Sequence, residues 1–129
     1  MALRCIIVDD NAEFLAVARD LLERQGIAVV GVASTSARAL VLAQELRPDV
    51  ALVDVDLGEE TGFDLAARLA PATGLEDMRV VLTSAYGESD LADLIAASPA
   101  VGFVSKSTLS RPAIEALIEC AGPTERRGT

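Results

Sequence analysis

Short β-branched runs alternate strictly with amphipathic stretches along this chain, and that alternation constrains the fold more than any other feature. Residues 3–8 (LRCIIV), 27–33 (IAVVGVA), 49–54 (DVALVD), 79–84 (RVVLTS) and 102–105 (GFVS) read as strands. The first helix is predicted over 12–25, with Asn11 as its N-cap, Phe14, Ala18, Leu21 and Leu22 on one apolar face, and Gly26 just past its end. The second spans 36–46, behind Thr35 and ahead of Pro48; the third starts near Phe63 and stops before Pro71, where a loop of small and polar residues (PATGLEDM, 71–78) follows. The fourth covers 88–97, ended by Pro99, and the fifth 111–120, with Pro112 in its first turn. Strands and helices in strict alternation predict an α/β fold, a doubly wound, five-stranded parallel sheet with five helices on both faces. The near-continuous apolar strands fit burial from both sides.

At 129 residues the chain is long enough for one good core and too short for two, so a single domain is expected over 1–121, with 122–129 as a flexible tail. A formal charge of -9 argues against direct nucleic-acid binding, which needs clustered Lys and Arg. No apolar run approaches the ~20 residues of a membrane helix, and CIIV is followed at once by two Asp, unlike a signal peptide; a cytoplasmic protein is expected. Cys5 and Cys120 have neither disulfide-framework nor metal spacing and read as buried or idle thiols. The absence of histidine removes the usual residue of serine triads, imidazole relays and zinc sites.

Polar residues interrupt the apolar strands at their carboxyl ends. Asp9 and Asp10 close the first strand, Asp54 the third, Thr83 or Ser84 the fourth, and Lys106 follows the fifth. In open α/β sheets that edge binds ligands, where the strand order reverses. Taken singly, each has an ordinary reading: Asp9 and Asp10 as turn and cap residues, Asp54 as a strand end, Thr83 and Ser84 as plain strand residues, Lys106 as a solvated charge. Their recurrence at matching ends of several strands points instead to a site in which carboxylates hold a hard divalent cation such as Mg²⁺ while Lys106 and a hydroxyl meet a phosphoryl group. The Asp54-Val55-Asp56 fragment by itself leaves storage of a phosphoryl group and its enzymatic hydrolysis both open.

The ordered set IIVDDN (Asp9, Asp10), VALVDVDL (Asp54), Gly62, VVLTSA (Thr83) and GFVSKS (Phe103, Lys106) resembles the receiver domains of bacterial two-component response regulators over residues 3 to 121. The resemblance implies a flavodoxin-like sheet of order 2-1-3-4-5 and a phosphorylation switch. It makes Asp54 the acceptor of a phosphoryl group from a sensor histidine kinase or phosphotransfer protein, a donor that must be another molecule. Asp10 and Asp54 would bind Mg²⁺ directly with the backbone carbonyl of Asp56, and Asp9 mainly through water. Lys106 would pair with Asp54 and then with a phosphoryl oxygen. Thr83, chosen over Ser84 by family spacing, would donate its hydroxyl and let Phe103 turn inward, altering the surface of the fourth helix, fifth strand and fifth helix for a downstream protein target. Ser84 would leave room for the phosphoryl group, and Tyr86 is expected on the partner-facing surface. The domain would catalyse only its own phosphorylation and dephosphorylation.

Leu57-Gly58 and Ser107 stand where the family often has Met-Pro and a proline, so the isomer of the Lys106–Ser107 bond is open at this point. Asp56 occupies a position expected to tune Mg²⁺ affinity and the lifetime of the phospho-form, with a solvated loop acid as the alternative. Two other functions compete. A haloacid-dehalogenase-like phosphatase normally carries its Asp-x-Asp on the first strand, whereas here the motif ends the third. A phosphorylation-independent docking domain would not need all five key positions. No output domain fits after Cys120, so output is expected to pass through protein contacts.

Overall fold

The computed structural model describes residues 3–58, 60–69, 78–85 and 91–121. The loop over 71–77, Tyr86, the predicted start of the fourth helix at Glu88, the side chain of Cys120 and the tail 122–129 lie outside the described residues. In chain order the elements are β1 (Arg4–Val8), α1 (Ala12–Arg24), β2 (Ala28–Ala33), α2 (Ser36–Leu46), β3 (Val50–Asp54), β4 (Asp56–Leu57), β5 (Glu60–Thr61), α3 (Gly62–Leu69), β6 (Arg79–Ser84), α4 (Ala92–Ala97), β7 (Gly102–Ser105) and α5 (Arg111–Ala121). The main sheet is parallel throughout, in the order β2-β1-β3-β6-β7. Counted over its five long strands, this is the expected 2-1-3-4-5 arrangement.

Strand alternation sorts the interior into two layers. Ile6, Val8, Ala51, Val53, Val80 and Leu82 face α2 and α3, whose Leu42, Ala43, Leu65 and Leu69 complete one cluster. Cys5, Ile7, Val50, Leu52, Val81 and Val104 face α1 and α5, meeting Ala18, Leu22 and Ile114. Burying a Leu or Ile side chain contributes about 1.5–3 kcal/mol, so these clusters hold the short helices more than helix propensity does. Asn11 Oδ1 caps α1 by accepting from the Glu13 and Phe14 amides at 2.9 and 3.2 Å, and Thr35 Oγ1 caps α2 by accepting from Arg38 N at 3.2 Å. No helix among the described residues is long and apolar enough to cross a membrane.

One element was not legible in the sequence. Directly after β3 the chain folds into a small antiparallel hairpin, β4 against β5, pairing Asp56 with Thr61 and Leu57 with Glu60. Two-residue strands are too short to show a period, and the device that closes the hairpin is local. Gly58 takes a left-handed φ of 80°, and its amide donates to Asp56 Oδ1 at 3.1 Å. Leu57 turns inward and anchors the hairpin on the α2–α3 cluster. α3 then starts against the backbone of β3. A Cβ at Gly62 would overlap the Asp54 carbonyl oxygen and stand 2.9 Å from Val55 Cα, so only glycine allows this approach.

Candidate functional site

The chain leaves β1 toward β2 on one side and β3 on the other, so the carboxyl ends of β1 and β3 form the crevice where the sheet order reverses. Asp9 follows the last residue of β1 and Asp54 is the last residue of β3. Both are buried, at 0% and 5% exposure, an arrangement that isolated carboxylates resist. Lys106, just past β7, supplies the counter-charge. Its Nζ lies 2.7 Å from Asp9 Oδ2 and 3.1 Å from Asp54 Oδ2. The other oxygen of each acid is held by backbone: Asp9 Oδ1 accepts from Asn11 N at 2.8 Å, and Asp54 Oδ1 accepts from Asp56 N at 3.2 Å.

Lys106 stands on a 3-10 turn, Lys106–Thr108, stitched by hydroxyls in place of a proline. Ser105 Oγ accepts from Ser107 N at 3.3 Å and shares a hydrogen bond with Ser107 Oγ at 2.9 Å, while Thr108 Oγ1 donates to Ser105 O at 3.3 Å. The Lys106–Ser107 bond is trans. On its other side the ammonium sits 4.3 Å from the centroid of the Phe14 ring, a contact that nothing in the sequence announces.

Electrostatics follow from this geometry. Burial raises the Asp54 carboxyl above its ordinary value; the Asp56 amide opposes that rise, the nearby Asp9 charge adds to it, and Lys106 offsets part of it. For Lys106, burial works against the ammonium, but pairing with Asp9 and Asp54 outweighs it and the net shift is upward. Cys5 behaves differently. Burial pushes its thiol up to about 12 against a small opposing contribution from the Leu52 backbone, leaving an inert thiol in the core.

Asp9, Asp10 and Asp54 each offer an oxygen, and the three atoms lie within 4.8 Å of one another. Asp9 Oδ2 is buried with an ionic neighbour in Lys106 but no aligned hydrogen-bond donor. Three carboxylates against one ammonium leave an excess of negative charge, and hard oxygen donors are what Mg²⁺ prefers. The residues fit such an ion.

Of the residues expected at the site, Asp9, Asp10, Asp54 and Lys106 are brought together. Thr83 is buried and stands directly beside Asp54 in the β3–β6 register, on the sheet face of Asp54, while alternation turns Ser84 to the face of Leu82. The Asp56 side chain is exposed and committed through Oδ1 to the Gly58 amide. Phe103 is away from the acids, half-buried on edge strand β7 and packed against the α2–α3 cluster. Sequence reasoning placed Phe14 only on the core-facing side of α1; its approach to Lys106, a residue remote in the chain, emerges from helix placement alone.

Comparison with known proteins gives a consistent result. The family model for the response regulator receiver domain matches residues 5–119. The chain is 36% identical over 121 residues to protein-glutamate methylesterase/protein-glutamine glutaminase 5 of Myxococcus xanthus, covering 93% of this chain and 34% of that protein. It is 26% identical over 117 residues to chemotaxis protein CheY of Thermotoga maritima, covering 91% of this chain and 96% of that one. It spans half or less of the length of several other curated relatives that it matches. Among solved structures, the signal receiver domain of the response regulator NarL from Mycobacterium tuberculosis superposes with a TM-score of 0.78 at 30% identity, covering 93% of this chain and 96% of that one. With sequence motifs, sheet order and the family match in agreement, the chain belongs to the response regulator receiver domain family.

Proposed function

We propose that Asp54 takes up a phosphoryl group from the phosphohistidine of a sensor histidine kinase or phosphotransfer protein, and that the phosphorylated domain offers a changed α4–β7–α5 surface to a downstream protein target in the cytoplasm. One observation carries this reading: a single ammonium, Lys106, shared by Asp9 and Asp54 at the reversal point of the sheet. An Asp54 oxygen attacks phosphorus, the P–O bond forms as the P–N bond to the donor imidazole breaks, and the departing nitrogen keeps the electron pair. Lys106 then exchanges its contact with Asp54 for one with a phosphoryl oxygen. Thr83 donates its hydroxyl to the phosphoryl group, and Phe103 turns inward from β7.

Asp10 and Asp54, with the Asp56 carbonyl, would hold Mg²⁺ directly, and Asp9 would act through water. When bound, the ion supplies neutralisation of phosphoryl charge, which in-line phosphoryl transfer chiefly requires. Catalysis is confined to the domain's own phosphorylation and dephosphorylation. The Asp-x-Asp motif ends β3 while a separate acidic pair follows β1, an arrangement that favours storage over repeated hydrolysis.

Incubation with acetyl phosphate and Mg²⁺ tests the proposal. About one phosphoryl group per chain, lost in Asp54→Ala, is the expected result. Continued release of phosphate over many turnovers would mark a phosphatase instead. Equal partner affinity with and without beryllofluoride, a phosphoryl mimic, would favour a docking domain that does not switch.

A further inference from the structure

We infer that Phe14 is a positioning residue for Lys106, holding its ammonium at the mouth of the acidic crevice; this role rests on the phosphorylation reading above. Lys106 sits on a flexible four-carbon stem, and its head must stay in the crevice when it changes partners. A closed circuit of contacts keeps it there. Asp9 Oδ1 accepts from Asn11 N at 2.8 Å, and Asn11 Oδ1 accepts from Phe14 N at 3.2 Å. The Phe14 ring lies 4.3 Å from Lys106 Nζ, and Lys106 returns to Asp9 Oδ2 at 2.7 Å. The face of an aromatic ring attracts a cation through its quadrupole, more strongly where water is scarce, and the Lys106 side chain is only 18% exposed.

The same connection is fastened to α1 at its other end. Arg111 Nη1 donates to Gln25 O at 2.7 Å, capping the carboxyl end of α1, and Gln25 Oε1 accepts from Arg111 N at 2.6 Å at the start of α5. The segment from Lys106 to Arg111 is therefore strapped along α1, with Phe14 at one buckle and Gln25 at the other. When Lys106 loosens its hold on Asp54 to meet the phosphoryl group, Asp9 remains as its ionic partner, and the Phe14 ring adds a second restraint on the ammonium. A ring contact survives that exchange.

Phe14→Leu keeps an apolar side chain and removes the ring; Phe14→Tyr keeps both. With acetyl phosphate at saturating Mg²⁺, Phe14→Leu is expected to slow Asp54 phosphorylation about threefold to tenfold, and Phe14→Tyr to restore the wild-type rate. In a Lys106→Ala background the same Leu substitution should change the rate less than about twofold, since the ring acts through Lys106. A wild-type rate in folded Phe14→Leu, equal slowing by Leu and Tyr, or an undiminished effect without Lys106 each overturns the role. The contact has a readout independent of phosphoryl uptake. The Lys106 ε-methylene protons should be ring-shifted upfield in wild type and Phe14→Tyr and move to the ordinary position in Phe14→Leu. A wild-type chain that shows the ring shift but takes up no phosphoryl group overturns the functional reading, and the positioning role with it. Phosphorylation without any ring shift overturns the role of Phe14 alone.

Discussion

Lys106 lies nearer to Asp9 than to Asp54, with Nζ–Oδ2 separations of 2.7 and 3.1 Å, although Asp54 is the proposed acceptor. The shorter contact is thus with Asp9, and in the proposed reaction Asp9 is the partner that Lys106 keeps while it exchanges Asp54 for a phosphoryl oxygen. Asp9 is wholly buried, so its own charge needs this cation when no metal ion is bound.

Removing the cation should therefore cost stability as well as rate. In Lys106→Met, Asp9 and Asp54 face each other without an ammonium, and without Mg²⁺ the fold should lose about 3 kcal/mol, the low end for breaking a buried pair because Lys106 keeps some water contact. Urea unfolding measures this, and added Mg²⁺ should recover part of it. The alkaline limb gives a second check. Because pairing raises the Lys106 pKa, its contribution is fully present below the unfolded value of 10.5 and is lost as pH rises through the folded value. Lys106→Met should lack that loss.

The opposite sign is expected at Asp54. Burial raises its pKa above the ordinary 3.8, so between those values the folded chain binds more protons than the unfolded one, and charging Asp54 weakens the fold as pH rises through that window. Asp54→Asn should melt higher than wild type at neutral pH without Mg²⁺, while accepting no phosphoryl group. The difference should shrink on acidification toward pH 4. A neutral-pH melt in which the variant is the less stable protein would falsify this account of the site.

Gly62→Ala probes the close approach of α3 to the acceptor strand. The new Cβ would overlap the Asp54 carbonyl, so either α3 or the end of β3 must move. A loss of about 3 kcal/mol or more is expected from overpacking against backbone, together with slower phosphorylation of the protein that remains folded. Calorimetry and labelling on the same sample separate the two effects.

Asp56→Asn should preserve the hairpin, since an amide oxygen can still accept from Gly58 N. What it removes is charge beside the proposed ion. Mg²⁺ affinity should fall by about 1 kcal/mol, roughly fivefold, and the decay rate of the phospho-form should change. Titration calorimetry and loss of label with time measure both, and no change in either would make Asp56 an ordinary solvated acid.

What the sequence determined by itself is the set of elements and the edge at which polar residues collect. The 3.6-residue and two-residue periods, Asn11 and Thr35 as caps, Gly26 past α1, and polar residues closing apolar runs are local signals, and each helix or strand they mark lies where expected within the described residues. The tertiary structure decided which of those residues meet. Lys106 is far in sequence from both Asp9 and Phe14, and its contacts with them depend on where β7 and α1 pack relative to the sheet, which no period along the chain encodes. The β4–β5 hairpin depended on one left-handed glycine and one side-chain acceptor, too short a pattern to read as strand. Strand ends supplied the charges of the site; helix packing decided that Asp9 holds the ammonium more closely than the acceptor does, and that an aromatic ring stands behind it.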